Sequence, residues 1–169
     1  KAVLTDIAGN PSPESSDSAK LDTTATAAPV VTIDEEINND GLINKVELVG
    51  QVNVSVALPV GSVAGDKLTI TDGISPQTIT LVAADITAGK VSTSFAAPAE
   101  GGTITVKAVL TDIAGNPSPE SSDSAKLDTT ATAAPVVTIS EDINNDGLIN
   151  KTELVGQVNV SVALPAGSV

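Results

Sequence analysis

Cysteine, tryptophan, tyrosine, methionine, histidine and arginine are all absent from the 169 residues, and Phe95 is the one aromatic side chain. Without cysteine no disulfide supports the fold, and the redox compartment cannot be read from the sequence. The lack of histidine and cysteine removes the commonest general base and the strongest side-chain nucleophile. No other nucleophile–base constellation stands out, so neither an enzyme nor a small-molecule substrate is expected. Apolar runs fall far short of the roughly 20 residues a membrane span needs, so direct membrane insertion is not expected. Positive charge is scarce: eight lysines face 21 acidic residues, a net charge of −13. Such a surface repels nucleic acid and anionic membranes.

What the chain does contain is a copy of itself. Residues 1–63 recur as residues 107–169, an offset of 106 residues, and only four aligned pairs differ: Asp34/Ser140, Glu36/Asp142, Val46/Thr152 and Val60/Ala166. That period is too long for a solenoid turn and matches one whole domain. Opened at the linker, residues 27–132 make one complete unit, with residues 1–26 as the tail of a preceding unit and 133–169 as the head of a following one. Neither flank holds enough apolar sequence to close a core alone. Both are expected to be disordered, or paired with a neighbouring chain. Near-identical tandem copies suit a stalk or array, in which each unit's partners are its identical neighbours.

Within one unit, β-branched residues between Gly, Pro and Asp clusters point to strands over 29–33, 51–58, 67–72, 76–83, 90–97, 103–111 and 121–128. Alternation places Val52, Val54, Val56 and Leu58 on one face, and Ile104, Val106, Ala108 and Leu110 on another. About seven short strands in some 100 residues have the count and spacing of an all-β, immunoglobulin-like Greek-key sandwich. The usual buried tryptophan, disulfide and corner tyrosine are missing, so aliphatic side chains must fill the core.

The loop after the first strand carries the chemistry. Asp142-Ile-Asn-Asn-Asp-Gly-Leu-Ile-Asn-Lys-Thr-Glu153 fits the twelve-residue calcium loop D-x-[DN]-x-[DN]-G-x5-E at every specified position. Asp142, Asn144 and Asp146 offer side-chain oxygens, Leu148 its carbonyl, Asn150 a contact through water, and Glu153 two oxygens. The first copy offers Glu36, Asn38, Asp40, Leu42, Asn44 and Glu47, with one extra methylene at its first position. Calcium takes six to eight oxygens in a flexible cage, whereas magnesium favours a rigid octahedron and keeps its waters. The plain alternative is an Asn/Asp-rich turn bonded to its own amides. No helix is expected beside the loop, so calcium here would be structural rather than sensory.

Further acids follow from the sandwich topology. The first loop and the end of the last strand share one pole, and the turn before the last strand lies at the other. Asp22 of the preceding unit should therefore approach Asp112 and Asp66, forming a junction site, and Asp128 should repeat that role at the next junction. Asp34 and Glu100 are further candidates for the loop site. The alternative for all of them is a solvated turn residue capping backbone amides. Threonine pairs at 69/71, 78/80 and 103/105 invite an ice- or sugar-binding reading, but separate pairs do not establish a flat regular array.

The turn Thr111-Asp-Ile-Ala-Gly-Asn, the linker Asp128-Thr-Thr-Ala and the loop Asp142-Ile-Asn-Asn-Asp-Gly together resemble tandem bacterial Ig-like repeats of giant calcium-dependent adhesins of the RTX type, including biofilm and ice-binding ones. The resemblance spans 27–132 and both flanks. It implies a secreted, extracellular extender on a bacterial cell surface, folded and stiffened by calcium, that projects a distal binding domain. The rival is a binding module whose loops or Thr-bearing strands contact carbohydrate, ice or another adhesin chain. Two departures stand out: extra Thr-Ala residues in the linker before Pro29, and a variable first position in the calcium loop.

Overall fold

The computed structural model describes residues 1–168; Val169 lies outside them. The chain is mostly β. In the complete unit the strands are β1 (Val30–Ile33), β2 (Leu42–Ile43), β3 (Val52–Ala57), β4 (Lys67–Thr71), β5 (Gln77–Thr80), β6 (Lys90–Phe95), β7 (Thr103–Thr111) and β8 (Ser121–Leu127). They form a three-stranded sheet, β1-β3-β6, and a five-stranded sheet, β2-β8-β7-β4-β5. Every pairing is antiparallel except β2 with β8, where Leu42 and Ile43 run parallel to Lys126 and Leu127.

All seven expected runs contain a strand, with two differences. The run expected over 76–83 ends at Thr80, and a short helix, α1 (Ala83–Ala88), follows. Its alanines favour a helix; Asp85 Oδ2 accepts the Val82 N–H at 2.9 Å, and Gly89 ends it at φ 68°. A single turn and a half leaves no helical periodicity in the sequence to detect. The other addition, β2, is only two residues long and sits inside the Asn/Asp-rich loop.

Alternation becomes burial in the sheets. On β3, Val52, Val54 and Val56 point inward, and on β7 so do Ile104, Val106, Ala108 and Leu110. These side chains meet Val31, Ile33, Val91 and Phe95 from one sheet and Ile43, Leu68, Ile70, Ala125 and Leu127 from the other, giving one core between two layers. Full burial of each Val, Leu or Ile contributes about 1.5–3 kcal/mol, so the aliphatic set replaces the missing aromatics by number. Leu58 lies beyond the end of β3 and packs against this core only partly buried. Where β1 and β8 meet across the sheets, a side chain replaces the backbone ladder: Asp123 Oδ2 accepts the Ile33 N–H at 2.8 Å.

The flanks carry the same residues in another setting. β9 (Val136–Ile139) and β10 (Val160–Ala163) form an antiparallel hairpin whose side chains are all exposed. Residues 1–26 form no regular strand; a turn at residues 7–9 folds the segment back on itself, with isolated antiparallel bridges from Ala2 to Ser15 and from Thr5 to Pro11. Among the described residues no helix is long and apolar enough to cross a membrane.

Candidate functional site

Both Asn/Asp-rich loops fold the same way. In the second copy, Asp142 accepts the N–H groups of Asp146 (3.0 Å) and Gly147 (3.1 Å), Asp146 Oδ1 accepts Leu148 N–H (2.8 Å), and Glu153 Oε2 accepts Asn150 N–H (2.9 Å). In the first copy, Glu36 accepts Gly41 N–H, Asp40 Oδ1 accepts Leu42 N–H (2.9 Å), and Glu47 Oε2 accepts Asn44 N–H (2.9 Å). Asn44 and Asn150 each cap the two amides that follow: those of Val46 and Glu47, and those of Thr152 and Glu153. The tight bend needs left-handed backbone at Asn39 (φ 56°) and Asn145 (φ 54°), and at Gly41 (φ 82°) and Gly147 (φ 81°). Asparagine and glycine are the residues that adopt it at least cost. The extra methylene of Glu36 therefore changes which amides the first position caps without changing the path of the loop.

The loop's oxygen donors thus face its own N–H groups. At the third position the amide is turned the other way: Asn38 Nδ2 donates to Asp40 Oδ2 at 2.8 Å, and Asn144 Nδ2 to Asp146 Oδ2 at 3.0 Å. Holding a cation at that position requires the amide to rotate and present its oxygen. Among the described residues no group of three or more His, Cys, Asp or Glu side chains is placed to hold a metal ion as it stands. The donor set is nevertheless chemically suited to a hard cation, since carboxylates, amides and a backbone carbonyl share one tight bend.

The end of β8 lies beside this loop: Lys126 N–H donates to the Gly41 carbonyl and Asp128 N–H to that of Ile43. Glu100 is at the same pole, but its carboxylate is spent on the outgoing linker. It accepts Thr129 N–H (3.0 Å), Thr129 Oγ1–H (2.7 Å) and Thr130 N–H (3.2 Å). These bonds, the Thr129 hydroxyl first, hold Glu100 below the usual carboxylate range. Asp34 accepts Ser55 Oγ–H at 2.9 Å across the β1–β3 ladder. Glu100 and Asp34, the further candidates for the loop's donor set, are thus each bonded to hydroxyls or amides outside the loop.

At the opposite pole, the segment over residues 20–26 borders a cleft of about 480 Å³ lined by Asp22, Asp66 and Asp112, with Lys20 and Thr26. Asn116 Nδ2 reaches across to the Asp22 carbonyl at 3.2 Å. Asp112 is organised by its own turn, accepting Asn116 N–H and Nδ2–H, each at 2.8 Å, and the Asn116 side chain leads in holding it below the usual carboxylate range. Asp66 is 1% exposed. Its Oδ2 accepts Val63 N–H at 2.9 Å, while its Oδ1 is buried with no hydrogen-bond partner, as is Thr26 Oγ1. A buried, unsatisfied carboxylate oxygen costs stability unless something supplies positive charge. Lys20 lines the cleft, yet the salt bridges among the described residues join only Lys1 to Glu14 and Lys107 to Glu120.

Sequence reasoning passed over one pair of acids. Glu35 is buried and clamps Asn53 through its N–H (2.6 Å) and side-chain amide (2.5 Å), and Glu141 clamps Asn159 identically at 2.7 and 2.5 Å. The only available signal was an acid beside a strand end with an asparagine 18 residues on. The threonine pairs lie on β4, β5 and β7. Thr69 and Thr78 sit 3.4 Å apart, but Lys67, Lys107 and Val109 interrupt the rows, so no regular array forms. No protein-family model and no curated protein matches this chain.

Proposed function

We propose that residues 27–132 are one Ig-like Greek-key repeat of an extender stalk, joined end to end with near-identical neighbours and stiffened by calcium on a bacterial cell surface. The observation that carries the reading is the junction cleft. There the preceding unit's linker lines one cleft through Asp22, together with Asp66, whose Oδ1 is buried and unpartnered. A hard cation supplies the charge that Asp22, Asp66 and Asp112 lack, and it ties a residue of one unit to two of the next. The Glu36–Glu47 and Asp142–Glu153 loops are the second class of site, one per copy. The pairing of β2 with β8 fits an Ig-like sandwich in which a short strand crosses to the second sheet. Duplication of whole units and the lack of a catalytic constellation favour a mechanical role.

The test is thermal unfolding of the chain in millimolar calcium and in chelator. A calcium-dependent rise in melting temperature, absent with magnesium at the same concentration, supports the stalk reading. An identical melt in both conditions reduces both sites to ordinary turns and removes the metal from the proposal.

A further inference from the structure

Residues 20–26 return unchanged as residues 126–132, so one stretch of sequence is seen in two settings: where the chain enters the complete unit and where it leaves it. At the exit the odd-numbered residues meet the unit. Ala125 and Leu127 are buried, and Thr129 Oγ1–H donates to Glu100 Oε2 at 2.7 Å. Every backbone N–H over residues 126–130 is taken there too, by the carbonyls of Gly41, Gly102 and Ile43 in turn and then by Glu100. At the entry the even-numbered residues meet the unit. Lys20, Asp22, Thr24 and Thr26 line the cleft with Asp66 and Asp112, and Asn116 Nδ2–H donates to the Asp22 carbonyl at 3.2 Å. Successive side chains of an extended strand point to opposite faces. The two settings therefore use opposite faces of the same segment, and opposite backbone groups: N–H at the exit, a carbonyl at the entry.

We propose that this segment is a strand shared by two consecutive copies and held without a metal ion, gripped on its odd face by Glu100 of the copy before it and on its even face by Asn116 and the Asp66–Asp112 cleft of the copy after it. The proposal rests on the end-to-end reading above and names what holds the joint. The two grips overlap: residues 128–130 are bonded at the exit, and their copies 22–24 include two that line the cleft at the entry. No free residues separate the grips, so the joint has no slack. The bonds to Glu100 converge on one carboxylate and are charge-assisted, which places them among the stronger hydrogen bonds. One group changes partner between the settings. Thr24 N–H donates to Asp22 Oδ1 at 3.3 Å, whereas its copy Thr130 N–H donates to Glu100 Oε1 at 3.2 Å. Where Glu100 takes that amide, the Asp22 carboxylate loses its own cap and is left to the cleft. Glu100 of one copy is thus a positioning residue for the acids of the next.

The test is backbone amide NMR relaxation on the full chain in chelator, with circular dichroism to check the sheets. Order parameters of about 0.85 mark rigid backbone and values below about 0.6 flexible backbone. Thr129 and Thr130 should stay near the first value without metal, and so should Asp22 and Thr24. Glu100→Ala should drop Thr129 and Thr130 below about 0.6 and leave Asp22 and Thr24 unmoved. Asn116→Ala should do the reverse. Glu100→Gln keeps an oxygen for the Thr129 hydroxyl and should hold Thr129 near the parent value, a rescue that a general loss of stability would not show. A linker ordered only in calcium overturns the proposal and leaves the calcium-stiffened stalk standing, as does a chain with no β signal in chelator. Order that neither substitution disturbs also overturns it. An ordered linker beside a melting temperature that ignores calcium supports the shared strand and removes the metal from the stalk reading.

Discussion

Asp66→Asn should change the sign of its effect with calcium. Asp66 is buried, Oδ2 holds the Val63 amide, and Oδ1 has no partner. Asparagine keeps an oxygen for Val63 and puts an NH₂ group where the orphaned oxygen was, at a residue that lines the cleft together with Asp22 and Asp112. An unsatisfied buried acceptor costs about 1–3 kcal/mol, so in chelator the variant should equal the parent or exceed it by up to that amount. Calcium reverses the order. With a dissociation constant of about 10⁻⁴–10⁻³ M, as extracellular modules have, ~10 mM ion stabilises an occupied site by about 1.4–2.7 kcal/mol. The variant forfeits that gain. At roughly 4–8 °C per kcal/mol for a domain of this size, the parent's calcium-dependent rise should exceed the variant's by roughly 6–20 °C. Far-UV circular dichroism is the assay, because there is no tryptophan or tyrosine to follow by fluorescence. A variant that shifts by the same number of degrees in calcium and in chelator refutes the reasoning and leaves Asp66 as a turn cap for Val63.

Asp40→Ala combined with Asp146→Ala should lower the calcium-dependent part of the melting temperature while costing about 1 kcal/mol per exposed loop in chelator, where each aspartate accepts the backbone N–H two residues on and the asparagine side-chain amide two residues before; an unaltered calcium response removes the loops from the donor set. Phe95→Ala should cost about 3–5 kcal/mol, a fall of at least roughly 12 °C, because Phe95 is buried opposite Val52 in the core; a fall of only a few degrees would mean the site collapses freely. Acid should destabilise the fold in a defined window. Hydrogen bonds from Asn116 and Thr129 lower the folded-state pKa values of Asp112 and Glu100, so their contribution is complete above the unfolded values of about 4 and is lost as pH falls through the folded ones. Melts should therefore be level from neutrality to about pH 5 and fall below about pH 4, and Asn116→Ala should shrink that acid limb.

The strands were legible because their signal is a period. Alternating Val52, Val54 and Val56, and Ile104 through Leu110, need only one side of a sheet to be dry, and the fold supplies one. The Asn/Asp loops were legible as tight oxygen-rich bends because left-handed backbone demands Gly and Asn at fixed places. Helix α1 was not, since six residues are too few to show a helical period. The partners of Glu100 and Asp34 were not legible for a different reason. Topology puts Glu100 at the loop's pole, but which partner a carboxylate takes is settled by the nearest donor, and Thr129 and Ser55 are contacts across 29 and 21 residues of chain. The Asp22–Asp66–Asp112 cleft followed from topology alone. The unpartnered Oδ1 that gives it meaning is a property of packing and has no sequence signature.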